Sequence, residues 1–361
     1  MITREWPLLV SYATAALFFF FDRALSGGFD NAAWLVFVFA WLFCAILLSA
    51  FAVVRHSEAL AAILGEPFGT LILTFAITAI EVMMIAAVML GGPAVSTLAR
   101  DTMFAVIMIV FNGMAGLTLL IGGLRYHEQT YNLQGANAFL AVTVPLAVLG
   151  LVLPNFTSAP GGTLSTLHEV FLMLMSVGLY GVFLAIQTLR HRGYFLMPAE
   201  PAEEEVQPLD LRPAAWHATL LLLYIVPIVL LSKKIAVPID HAVSVLRAPA
   251  ALVGFLVAGL ILSPESLGAV RAALRNQLQR SINLLLGSVL ASISLTIPAV
   301  LAIAMLTGRT VVLGLEPVDM LLLVLTLGMS TLTFASGRTN ILLGAVHLLL
   351  FCAYVILILE R

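Results

Sequence analysis

The chain has 361 residues, of which 61% are apolar and 10% charged, with a net charge of −2. Soluble domains use about one quarter charged residues, so this chain lacks the polar coat that a water-soluble core of its size needs. The near-neutral balance, with no basic patch and no acidic tail, also argues against nucleic acid as a partner.

The first apolar stretch, Pro7 to Phe21, follows Arg4 and Glu5 and has the outward form of a signal peptide. Asp22, Arg23 and Asp30 come next without a small-residue cleavage site, so it reads as a retained first helix. Further apolar runs of about 16 to 25 residues are long enough to cross roughly 30 Å of hydrocarbon as helices. Charged and Gly/Pro-rich breaks place the spans near 7–22, 31–54, 68–90, 102–124, 136–153 and 165–189. A hydrophilic linker, 190–213, carries Glu200, Glu203, Glu204, Glu205 and Asp210. Beyond it the spans lie near 214–232, 248–273, 281–306, 317–335 and 340–359. The fold expected is an all-α polytopic membrane protein of about 11 transmembrane helices.

The order of features repeats. A span with Glu81 leads to Arg100 and Asp101, and then to a span with Asn112-Gly113. In the second half, a span that Ser263-Pro264-Glu265 interrupts leads to Arg271, Arg275 and Asn276, and then to a span with Gly287-Ser288. The expected division is an extra N-terminal helix (1–30), a first five-helix repeat (31–189), the linker (190–213) and a second repeat (214–361). Five spans per repeat is an odd number, so the second copy enters the membrane inverted, as in many secondary transporters. The larger share of the 17 lysines and arginines falls in loops on the side of the N-terminus and linker, which predicts that these are cytoplasmic and the C-terminus periplasmic.

An ionised carboxylate within a span is costly and marks a functional site by default. Glu81 lies mid-span with no lysine or arginine in its run. Glu265 follows a proline, whose missing N–H leaves a carbonyl free nearby. Hard cations such as calcium or sodium take carboxylate, carbonyl and hydroxyl oxygens; Glu81, Glu265, Thr78, Asn112 and Ser288 could supply them. Burial favours the protonated acid and a bound cation the ionised one, so competition between metal and proton at Glu81 and Glu265 amounts to an exchange mechanism. Glu66, in the turn Gly65-Glu66-Pro67, is a candidate entrance acid, and Asp101 a helix-start or interface residue.

Other readings stay open. Either glutamate can be a structural group satisfied by a neighbouring helix, and Glu265 can lie in an interface loop if its span ends at Pro264. Asn112, Ser288 and Thr78 also suit helix-helix contact, and an acidic pathway serves a passive channel as well as an antiporter. His168-Glu169 starts like a zincin motif, but Leu172 stands where the second histidine is required. Neither a G-x-S-x-G elbow nor a P-loop is present, so no enzyme and no cofactor is expected. Cys44 and Cys352 each sit within an apolar run, as packing or lipid-facing residues rather than a disulfide or zinc site.

Three stretches, LGEPFGTLILTFAITAIEV (64–82), GLILSPESLGAVRAALRNQLQRSINLLLGS (259–288) and GLYGVFLAIQTLRH (178–191), carry a resemblance. The chain resembles the calcium/cation antiporter superfamily, in its proton-coupled branch of ChaA-type cation/proton antiporters and calcium/proton exchangers. The resemblance implies eleven spans, two inverted repeats and one acid from each repeat on the cation pathway, falling on Glu81 and Glu265, with polar residues on or near Asn112 and Ser288. It implies secondary transport of calcium, sodium or potassium against protons in a bacterial inner membrane, with inorganic cations, protons and lipid as partners. The family's G-N-x-x-E pattern is altered, since Thr78 and Leu262 stand where asparagine precedes the glutamate, and Ala291 stands for a usual glutamine. Fewer oxygen ligands make sodium or potassium plausible beside calcium.

Overall fold

Hydrocarbon offers no partner for backbone N–H and C=O groups, so a spanning segment must satisfy them internally, as a helix does. The fold, seen in a computed structural model that describes residues 5–64, 68–91, 96–157, 160–196, 212–244 and 249–360, is almost wholly helical. In chain order the helices are α1 (Trp6–Phe20), α2 (Asp22–Ser26), α3 (Ala32–Leu64), α4 (Phe68–Gly91), α5 (Leu98–Ile107), α6 (Ala115–Tyr126) and α7 (Leu133–Leu151). After them come α8 (Thr166–Ala185), α9 (Ala214–Ser244), α10 (Ala250–Leu274), α11 (Leu278–Thr307), α12 (Pro317–Thr333) and α13 (Ile341–Glu360). A π-helical segment, Met108–Met114, joins α5 to α6 as one span, and another, Ile186–Arg190, ends α8. Among the described residues eight helices are long and apolar enough to cross a membrane, and three shorter apolar stretches (Trp6–Phe20, Phe75–Ala87, Pro317–Thr333) complete the eleven expected segments.

Two helices outrun their predicted ends. α3 continues past Arg55 and His56 to Leu64, and α9 continues past Lys233 and Lys234 to Ser244. A charged residue does not by itself end a helix: Lys234 Nζ pairs with Asp22 at 2.9 Å while α9 runs on.

The chain folds as two compact units, Met1–Val95 with Val206–Pro264, and Ser96–Glu205 with Glu265–Arg361. In the first, α3 packs against α9, and α1 and α4 each pack on both. Its core holds Leu42, Ile46, Met84, Ile85 and Tyr224. α1 is seated by hydrogen bonds, Ser11 Oγ to Ser49 Oγ at 2.7 Å and Trp41 Nε1 to Thr14 Oγ1 at 3.2 Å. Pro227 inside α9 cannot donate to the carbonyl four residues back, that of Leu223, and Tyr12 of α1 donates its OH to that oxygen at 3.0 Å.

In the second unit α6 packs on α13, and α11 on α7 and α8. Phe111, Phe139, Phe334, Met103 and Met108 fill the core. The last carbonyls of α10, which no further helical turn satisfies, accept from Tyr126 OH (to Leu274, 2.8 Å) and Gln129 Nε2 (to Ala273, 3.0 Å). A two-residue antiparallel pairing, Gln129–Thr130 with Arg338–Thr339, ties the same region. Leu174 on α8 and Leu349 on α13 are about 70% exposed, apolar surface that suits contact with lipid.

Candidate functional site

Glu81 stands near the middle of α4, and the described side chains around it on that helix, Ile77, Ile80, Met84 and Ile85, are apolar and buried. Its own exposure is 3%, and that of Thr78, one turn earlier on the same face, is 5%. The helical repeat puts positions three apart side by side, so Thr78 and Glu81 present a hydroxyl and a carboxylate together. No lysine or arginine lies on α4.

Glu265 sits inside a continuous helix. The expected interruption at Ser263-Pro264-Glu265 is absent: α10 is α-helical from Ala250 to Leu274 with Pro264 within it. Proline removes one hydrogen bond, that to the Leu260 carbonyl, but membrane helices tolerate such a loss, and the Ser263 hydroxyl turns back to the Gly259 carbonyl one turn away. Glu265 is therefore on a span, not in an interface loop, and it is half-buried. Ser288 of α11 donates its hydroxyl to Glu265 Oε2. Ser292 and Thr296, at successive four-residue steps from Ser288 on the same face of α11, are both buried.

Asn112 occupies the π-helical segment and is fully buried. Its Nδ2 donates to Thr326 Oγ1 of α12 at 2.8 Å, and its Oδ1 lies 3.0 Å from His347 Nδ1 of α13. Since Oδ1 can only accept, His347 carries its proton on Nδ1, and Nε2 then accepts from Thr333 Oγ1 at 2.9 Å. Asn112 is thus held from two sides by groups that sequence reading did not single out. A histidine within the last apolar span was the available signal, under the rule that flags Glu81.

The structure therefore pairs Thr78 with Glu81 in the first unit and Glu265 with Ser288 in the second, and ties Asn112 to Thr326 and His347. Glu66 and the linker acids Glu200, Glu203, Glu204, Glu205 and Asp210 lie outside the described residues. Asp101 stands in the first turn of α5, as expected of a helix-start residue, where it accepts from Arg100 Nε at 2.8 Å and Thr97 Oγ1 at 2.9 Å. Ser165, the N-cap of α8, bonds the ring of His168 at 2.8 Å, a capping role for the failed zincin histidine. Cys44 and Cys352 are free and exposed.

The model of the sodium/calcium exchanger protein family matches residues 34–189 and 216–360. The chain is 45% identical over 309 residues to the protein y4hA of Sinorhizobium fredii, covering 85% of this chain and 84% of that one. It is 43% identical over 317 residues to the sodium-potassium/proton antiporter ChaA of Escherichia coli, covering 87% and 86%. Its fold matches a structure of native YfkE with a TM-score of 0.76 at 16% identity, over 98% of this chain and 100% of that one. A structure of the H+/Ca2+ exchanger CAX matches with a TM-score of 0.70 at 15% identity, over 98% and 88%. On a match that spans most of its length, the chain belongs to the sodium/calcium exchanger protein family.

Proposed function

We propose that the protein is a secondary active transporter that exchanges cations for protons by alternating access, with Glu81 and Glu265 as the carboxylates that hold either a cation or a proton. The observation that carries this reading is Glu81, a carboxylate 3% exposed in the middle of an apolar span of an exchanger-family chain. Such a group is stabilised by a bound cation when ionised, or by a proton when empty. Direct exchange of the two at one site needs no further chemistry.

The hydroxyl of Thr78 and that of Ser288 are oxygen ligands beside the two carboxylates, and Asn112 retains a second lone pair on Oδ1. An all-oxygen set of this kind suits calcium, sodium or potassium. Sodium and potassium are favoured by the hydroxyl at position 78 and the methyl of Ala291, which leave fewer oxygens than the family's usual pattern. The relative named as a sodium-potassium/proton antiporter, 43% identical, supports the same choice. The remaining elements of the reading are an inner-membrane location, a cytoplasmic N-terminus and linker, a periplasmic C-terminus, and two inverted five-helix repeats (31–189 and 214–361) behind an extra first helix. Packing within the second unit supports the repeats, since α6 of the first half seats α13 of the second, and α11 of the second seats α7 and α8 of the first.

The test is exchange in inverted vesicles, read by a pH-sensitive dye after separate additions of calcium, sodium and potassium. Glu81→Gln is expected to abolish cation-induced proton movement while leaving expression and membrane insertion intact. Undiminished exchange in that variant overturns the mechanism, and conductance without any pH dependence favours a channel.

A further inference from the structure

Away from the transport carboxylates, five polar side chains meet where the N-terminus approaches α3 and α9. Glu5, just before α1, accepts from Tyr224 OH of α9 at 2.8 Å and from Arg55 Nη2 of α3 at 2.7 Å, all on the single oxygen Oε2. His56 Nε2 lies 3.4 Å from that oxygen and 3.2 Å from Arg55 Nη2. His56 Nδ1 faces His217 Nδ1 of α9 at 3.0 Å, and the two rings are 2% and 1% exposed. Among the described residues His217 Nε2 has no hydrogen-bond partner.

We propose that Glu5, Arg55, His56, His217 and Tyr224 form a proton-binding site distinct from the transport carboxylates, which reads acidity at the N-terminal end of the first unit and governs how α9 seats on α3.

Donor and acceptor arithmetic carries the inference. A hydrogen bond between two Nδ1 atoms needs one N–H and one lone pair. With no added proton the pair forms once: Arg55 Nη2 can only donate, so His56 Nε2 accepts from it and His56 Nδ1–H bonds His217 Nδ1. One added proton is accommodated: His56 keeps Nδ1–H on His217 and gives Nε2–H to the Glu5 carboxylate, releasing the Arg55 contact, while Arg55 stays bonded to Glu5. A second proton, on His217, sets two N–H groups head to head at 3.0 Å, beside the Arg55 guanidinium, and the pair must part. The closed arrangement thus holds at most one added proton, and acid drives it open.

The surrounding groups do not change that count. On α1 the nearest titratable side chain is Tyr12, bonded to Leu223; on α3 Glu58 is exposed; at the start of α9 the Arg212 guanidinium lies over Trp216. α4, packed on both α3 and α9, has Glu81 as its one ionisable residue. Through α9 and α3 the opening reaches the helix that carries Glu81, so acid at this end slows exchange. That last step rests on the transport reading above; the proton site does not.

The test uses the full-length protein with Trp6, Trp34 and Trp41 replaced by Phe, leaving Trp216 beside His217 as the reporter, because a charged imidazole quenches a neighbouring indole. Fluorescence is expected to fall on acidification, with a midpoint that moves by about one pH unit or more in His56→Gln, as coupled sites require. Glu5→Gln, placed before the first helix where it cannot disrupt a span, is expected to move the midpoint as well. A midpoint unmoved by both substitutions overturns the site. In vesicles, acid on the N-terminal side is expected to slow wild-type exchange at least about fivefold more than that of His56→Gln, with equal rates at alkaline pH. An identical acid response overturns the coupling, whereas absence of exchange in every protein, with the fluorescence shift intact, sinks only the transport reading.

Discussion

The hydroxyl of Ser288 on α11 donates to the carboxylate of Glu265 on α10. Two residues 23 apart in sequence, each chosen for its place in a repeat, thus form one polar contact within hydrocarbon depth. The serine holds the carboxylate in a fixed orientation, and a hydrogen bond to a charged group is worth about 1.5–3 kcal/mol.

Ser288→Ala is therefore expected to raise the half-saturating cation concentration for exchange about tenfold, without lowering the amount of folded protein. Cation titrations in inverted vesicles check this. An unchanged half-saturation would mean that Glu265 is oriented by other groups.

Selectivity should respond at position 78. Thr78→Asn places an amide oxygen one turn from Glu81 and restores the family's asparagine. The calcium response is expected to gain on the sodium response by about tenfold, the effect of about 1.4 kcal/mol. Measuring both ions on the same vesicles makes the ratio independent of expression level.

Packing of α6 on α13 is set by glycine. A Cβ on Gly344 would stand 2.5 Å from the Leu120 backbone nitrogen and 2.9 Å from the Gly116 carbonyl oxygen. Backbone cannot yield as a flexible side chain does, so Gly344→Ala is expected to cost about 1–3 kcal/mol. Thermal denaturation in detergent should show a clear loss, while Gly178→Ala, with nothing within 4 Å of its added methyl, should leave stability nearly unchanged.

Glu5 gives a pH dependence of its own. Burial pushes its carboxyl up, but the Tyr224 hydroxyl, the Arg55 guanidinium and His56 outweigh that and hold it below its ordinary value of 4.5. A carboxylate depressed in the folded state stabilises it above the ordinary value, and that contribution is lost as the pH falls through the depressed one. Tyr224→Phe is expected to bring the loss to higher pH, nearer 4.5, which melting curves between about pH 3 and 6 would show. Coincident curves for the two proteins would mean that the tyrosine does not hold the charge.

Much of this molecule was legible in its sequence, because hydrocarbon imposes a length and a composition that few other environments do. Run length alone located eleven apolar segments, and the cost of an intramembrane charge singled out Glu81 and Glu265. The same logic misread the ends of α3 and α9, because a charge does not by itself stop a helix and both continue past Arg55 and Lys234. Proline misled at Pro264, since a rule drawn from soluble helices overstates the break when a serine and the rest of a long helix keep the backbone in place. His347 and Thr326 escaped notice because their meaning comes from contact with Asn112, between helices far apart in the chain.

The π-helical segment at Met108–Met114 has a consequence for the chain's length. A π-turn accommodates one residue more than the α-helix it interrupts, and each residue of an α-helix turns the next by about 100°. The wide turn absorbs that residue, so removing it would let α5 and α6 fuse into a regular helix with the Gly116 face of α6 still against Gly344, whereas the same deletion in the α-helical part of α6 would swing everything beyond it by about 100°. What the wide turn sets is the place of Asn112, which lies within it between Thr326 and His347. A one-residue change of length here is therefore spent on the polar contact and spares the packing of the span on its partner.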